Sequence, residues 1–121
     1  MRLAETERRI MTLVWAQDGI PAKELVLKLK ESIGWNKATT YTVISRCIEK
    51  GYLRREEPGF LCHALISREQ VAEWETDALI SDNYDDRPDL LVASLVDKKR
   101  LTRQQIDDLY ELLRQLTEKE G

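Results

Sequence analysis

Residues 34–60 read GWNKATTYTVISRCIEKGYLRREEPGF, and this stretch decides the fold. Asn36 is a strong helix N-cap, and behind it Val43, Ile44, Cys47 and Ile48 form an apolar stripe at helical spacing. Gly51 supplies a left-handed stop after Lys50. One face of this helix is therefore built for a core and the other for a partner. The second face carries Ala38, Tyr41, Thr42, Ser45 and Arg46, with Lys37 and Thr39 at its start, and no acid falls between Asn36 and Ile48. Hydroxyls flanked by bases suit the DNA major groove, where Ser and Thr reach base edges or phosphates and a carboxylate is repelled. The same residues also fit an ordinary amphipathic surface helix whose polar face stays wet.

The neighbouring segments favour the groove. Ile20-Pro-Ala-Lys-Glu-Leu25 opens a preceding helix, with Pro21 placed in its first turn, and the Trp35-Asn36 joint is short, which makes a helix-turn-helix. Past Gly51, residues 52–56 and 60–66 read as two strands around Glu57-Pro58-Gly59, whose Pro-Gly pair fits a type II turn. That hairpin is a wing, and its Arg54 and Arg55 join the candidate DNA contacts.

Outward from there, Leu3, Ile10, Met11, Leu13, Val14 and Trp15 give a first helix its apolar side, and Asp18-Gly19 ends it. The second helix runs from Pro21 to Ile33 with Leu25, Val26, Leu29 and Ile33 inward. Ser67-Arg-Glu-Gln70 and Thr102-Arg-Gln-Gln105 both have capping-box spacing and start two further helices. Between them Asn83-Tyr-Asp-Asp-Arg-Pro88 is a polar break, and Pro88 opens a short helix carrying Leu91 and Leu95. The last helix places Ile106, Leu109, Leu113 and Leu116 at spacings of three and four. Three amphipathic helices of this size bury little alone and need a partner surface. A second copy of the chain is the cheapest partner, and a two-fold dimer supplies paired half-sites. The competing arrangement is a single monomeric core containing all six helices.

The expected fold is thus mainly α with a small β-hairpin wing: a winged helix-turn-helix domain over residues 1–66 and a three-helix dimerisation domain over 67–121. Charge follows the same division. Residues 1–66 carry 11 Lys/Arg and 8 Asp/Glu, a net +3, whereas 67–121 carry 8 and 14, a net −6. No apolar run is long enough for a bilayer and no leader precedes the first helix, so the expected location is cytoplasmic, without membrane association. Two cysteines, Cys47 and Cys62, are expected as reduced thiols. One histidine, His63, has no companion ligands or acid-base partner visible in the sequence, so no metal, no cofactor and no enzyme activity are expected. Other winged-helix roles stay open: a protein-docking module, or a repressor answering to a small ligand.

These residues resemble the penicillinase repressor family of BlaI, MecI and CopY type. Glu7-Arg-Arg-Ile-Met-Thr-Leu-Val-Trp15 is similar to that family's E-x-x-[IV]-M-x-x-x-W. Gly34-Trp35 followed by a polar residue and Thr39 continues the likeness, and Thr42, Ile44, Ser45, Arg46 and Lys50-Gly51-Tyr52 match T-x-I-[ST]-R-L-x-x-K-G-[YF]. The resemblance implies a homodimeric repressor on palindromic double-stranded operators with TACA/TGTA cores, and a membrane sensor protease as a further partner. It also implies departures. The cleavage position of the β-lactam-responsive branch falls by analogy on Ser94-Leu95 here, and because its Asn-Phe pair is absent, release by proteolysis stays open. The paired C-x-C motifs of the copper-responsive branch have no counterpart in Leu116-Thr-Glu-Lys-Glu-Gly121. Tyr41 stands where a Lys or Arg is common, which points to a different operator preference.

Overall fold

The computed structural model describes residues 2–120. Helix α1 (Glu5–Ala16) begins where Glu7 reaches back to accept the Ala4 N–H at 2.8 Å, half of a capping box, and it buries Ile10, Met11 and Val14. Strand β1 (Ile20–Pro21), helix α2 (Ala22–Ile33), helix α3 (Lys37–Glu49), strand β2 (Leu53–Glu56) and strand β3 (Leu61–Ala64) follow. Helix α4 (Arg68–Asn83), helix α5 (Pro88–Asp97) and helix α6 (Arg103–Glu120) complete the chain. Among the described residues no helix is long and apolar enough to cross a membrane.

The fold is a winged helix. Its sheet goes beyond the sequence reading in two places. First, there are three strands, in the order β1-β3-β2, because Ile20 and Pro21 pair with Cys62 and Leu61. Pro21 was expected inside the first turn of α2, yet it sits at the N-cap with an extended backbone. Having no N–H, it leaves the pairing to its neighbours: Gly19 donates to the Cys62 carbonyl at 2.8 Å and Ala22 to the Phe60 carbonyl at 2.9 Å. Two residues of strand are too short for any alternation to show in sequence. Second, the wing tip holds Gly59 at the positive φ that its Pro-Gly reading requires. The Glu57–Pro58 peptide is cis and both Gly59 and Phe60 have positive φ, while the Glu57 carboxylate accepts the Phe60 N–H at 3.0 Å.

The core lies between α1, α2, α3 and the sheet. Ile10, Met11, Val14, Leu25, Val43, Ile44, Cys47, Leu53 and Cys62 are all buried there, together with Ile20 of the short strand. Leu3 and Tyr52 close its edges, and Ile48 and Trp35 pack against it half-buried. Trp15 anchors the connection to α4 by donating its indole N–H to the Ile66 carbonyl at 2.9 Å. Helix α4 opens on the anticipated capping box, Ser67 and Gln70 exchanging bonds of 2.8 and 3.0 Å. Its first half belongs to this core: Val71 is buried, Trp74 half-buried, and Arg8 of α1 pairs with Glu75. The compact unit accordingly runs through Ala78, past the break at 66/67 read from the sequence.

The second unit, residues 79–121, contains the end of α4, α5 and α6. The Thr102/Gln105 box caps α6, and Pro88 occupies the first turn of α5. Neither α5 nor α6 buries a single residue. Val92, Val96, Ile106, Leu109, Leu113 and Leu116 are each 40 to 61% exposed, far more than a self-sufficient three-helix core leaves open.

Candidate nucleic-acid interface

Helix α3 is set by its cap and its buried stripe. The Asn36 side chain accepts the Thr39 N–H at 2.8 Å, and Thr40, absent from the sequence expectation, is fully buried with its hydroxyl donating back to the Asn36 carbonyl at 3.4 Å. Burying Thr40, Val43, Ile44 and Cys47 turns Lys37, Ala38, Thr42, Ser45 and Arg46 to solvent, with Thr39 half-buried at the edge. Tyr41, Thr42, Ser45 and Arg46 then line one shallow open groove along the helix. Glu49 closes its C-terminal end, an acid just beyond the acid-free run noted in the sequence. Among the described residues neither Lys37 nor Arg46 is engaged in an ion pair, so both cations are available to an outside anion.

Tyr41 does more than face outward. It is half-buried, its ring lies 5.7 Å from that of Phe60 at the wing tip, tilted by 59°, and the Lys37 ammonium stands 6.0 Å from the tyrosine ring. The aromatic pair ties the groove helix to the wing. The two wing arginines part company because successive strand residues point to opposite faces. Arg55 pairs with Cys62 on the core face and Arg54 with His63 on the other. Arg55 stacks on Phe60 with its guanidinium 3.7 Å from the ring centre, and its Nε donates to Glu57 at 2.9 Å. Arg54 meets Glu56 at 3.7 Å.

Two clusters escaped the sequence reading. His63 has two acid partners: Asp18 at 2.8 Å from Nδ1 and Glu56 at 3.3 Å from Nε2, while the other Asp18 oxygen accepts the Ala64 N–H at 2.8 Å. Asp18 and His63 are 45 residues apart and only the β1–β3 pairing joins them. Gly19 must be glycine there, since its φ is +85° and a Cβ would lie 3.1 Å from the imidazole. The second cluster is Glu7, whose buried carboxylate meets the Lys50 ammonium at 2.7 Å. Burial pulls its pKa up, but the bond from Lys50, the Ala4 N–H and the charges of Lys50 and Arg46 outweigh that and hold it below the ordinary value. The pair fastens the start of α1 to the end of α3. Burial pushes the Cys47 thiol up to about 12 and Cys62 up to about 11, so both stay neutral and unreactive.

In the second unit the residues proposed for pairing divide between two faces. Ile106, Leu109 and Leu113 line an apolar groove with Val92, Val96, Leu101 and Tyr110. Leu91 and Leu95 turn instead toward Leu79 and Tyr84. Ser94 and Leu95 lie half-buried inside α5, with the Tyr84 hydroxyl 3.5 Å from that of Ser94.

The sequence pattern that defines the penicillinase repressors matches residues 3–115 of this chain. The chain belongs to the penicillinase repressor family. That family is one of repressors, not enzymes. The methicillin resistance regulatory protein MecI of Staphylococcus aureus strain N315 is 21% identical over 113 residues, 92% of each chain. An uncharacterised 16.5 kDa protein from the ptsI 3′ region of Latilactobacillus sakei is 26% identical over 92% of this chain and 77% of its own. Among solved structures, the DNA-binding domain of the repressor BlaI superposes with a TM-score of 0.52 at 24% identity, over 58% of this chain and 93% of that one. Bacillus licheniformis BlaI, as a monomeric form in complex with the blaP half-operator, gives the same score and identity over 58% and 88%. The two solved structures share the fold of the head, and the sequence pattern over residues 3–115 carries the family membership.

Proposed function

We propose that this penicillinase repressor family member is a homodimeric DNA-binding repressor, with α3 in the major groove of a palindromic operator. The carrying observation is the exposed face of α3, where Lys37 and Arg46, without an ion pair among the described residues, flank Ala38, Thr42 and Ser45 in a chain of net charge −3. In this reading Thr42 and Tyr41 approach base edges, Lys37, Thr39 and Arg46 approach phosphate, and Arg54 and Arg55 serve the wing. MecI and BlaI are regulators of the same family, and BlaI binds a half-operator. The head, residues 1–66 with the seated half of α4, reads DNA; the remaining helices pair two copies through Ile106, Leu109, Leu113 and Leu116, with Leu91 and Leu95 beside them.

The test is a salt titration of duplex binding by the full chain, alongside selection of bound genomic fragments. A phosphate-neutralising protein loses affinity linearly on a log-log salt plot, and the recovered fragments should share a palindrome. Absence of duplex binding at low salt would instead assign the winged helix to a protein partner.

A further inference from the structure

The wing carries two arginines and yet presents almost no free positive charge. Arg54 has Glu56 at 3.7 Å and Arg55 has Glu57 at 2.9 Å. The two pairs are not equivalent. Arg54 lies on the sheet face with His63, away from the core. Arg55 lies on the core face, stacked on Phe60, and Phe60 touches Tyr41 of the groove helix. Arg55 is therefore the wing cation joined through one ring to the residues that line the groove. A guanidinium binds carboxylate and phosphate with the same planar fork, so Glu57, bonded to Nε, occupies one of the donors a phosphate would use. An exposed pair of this kind is held weakly, which lets it exchange. Phe60 holds the guanidinium plane whichever anion it meets.

We propose that Glu57 is a positioning residue that competes with DNA phosphate for Arg55, so that the wing engages the duplex with less charge than its sequence carries. This rests on the DNA-binding reading above. Glu57→Gln isolates the effect, because the amide oxygen can still accept the Phe60 N–H that closes the loop while the negative charge is removed.

The experiment measures binding of a mixed-sequence DNA duplex two helical turns long, from about 50 to about 200 mM salt, for the parent, Glu57→Gln, Arg55→Ala and the double variant. One extra phosphate contact steepens the log-log slope by about 0.9, so the affinity gain of Glu57→Gln should be about 3-fold larger at the low-salt end. Arg55→Ala alone should bind no tighter than the parent, and in the double variant the gain of Glu57→Gln over Arg55→Ala should vanish. A gain that persists without Arg55 would reveal a general charge effect and overturn the proposal, as would an unchanged slope in a Glu57→Gln protein with the parent's melting temperature. A parent that binds no duplex would defeat the DNA-binding reading itself, and the role of Glu57 with it.

Discussion

Arg46 and Thr42 occupy one turn of one helix and should behave differently. Arg46 is exposed and makes no ion pair among the described residues, so Arg46→Ala should weaken binding to every duplex alike and flatten the salt slope by about one unit. Thr42→Ala should leave the slope alone and change which sequences bind, by about 1 to 3 kcal/mol for a specific contact. Identical binding curves for the parent and both variants would remove α3 from the groove. His63 offers a second test at this scale. The bond to Asp18 raises the imidazole pKa above its ordinary 6.5, partial burial and Arg54 oppose the rise, and Glu56 adds to it. A raised native pKa stabilises the fold fully below the unfolded value, and the contribution disappears as pH climbs through the native one. Asp18, lowered from 3.8 chiefly by the His63 bond, contributes above 3.8 and loses that contribution as pH falls through its native value. The clamp is thus complete only between the two. Since the chain has one histidine, proton NMR gives one imidazole titration, and its midpoint should exceed 6.5. The urea midpoints of parent and His63→Gln should converge as pH rises from 6.5 through the native imidazole midpoint. An imidazole midpoint at or below 6.5 would show that the clamp does not form.

Helix α3 shows how an element holds its functional face in place. Its outward residues are aimed by its inward ones, so loosening the core side should blur the groove side. Ile44 is fully buried, and Ile44→Ala should cost about 2 to 5 kcal/mol in urea denaturation. Asn36→Ala, which removes only the cap on Thr39, should cost about 1 kcal/mol. If Ile44→Ala cost no more than the cap variant, the burial assigned to α3 would be wrong. Much of this element was legible in the sequence because a strong cap, a regular stripe and a glycine stop are local signals. Thr40 was not, since a hydroxyl reads as polar until the turn that satisfies it is seen. The wing was legible as two strands from its alternation and turn residues, but its third strand and the geometry at Glu57–Pro58 were not.

The whole molecule combines a closed head with an open tail. Every helix of the head buries a face, whereas Ile106, Leu109 and Leu113 leave an apolar groove bare. If a second copy covers that groove, Leu113→Asp places an unpaired carboxylate in an apolar contact at a cost of several kcal/mol. Sedimentation should then find a dimeric parent and a monomeric or partly unfolded variant. Palindrome binding should fall far more than half-site binding, because the paired sites no longer share one ligand. A parent that sediments as a monomer at micromolar concentration would leave the tail to a different partner. The sequence by itself determined the order of the helices, the capped starts of α3, α4 and α6, the wing, and the basic front before an acidic back, because periodicity, caps and charge are written within a few residues of one another. Only the tertiary structure decided that Ile20 and Pro21 join the wing, that Asp18 clamps His63 and Glu7 holds Lys50, that Arg55 rather than Arg54 lies on the core face, and that α4 is half seated in the head. Each of these depends on residues far apart in the chain or on which side of a strand meets the core, and no local pattern records either.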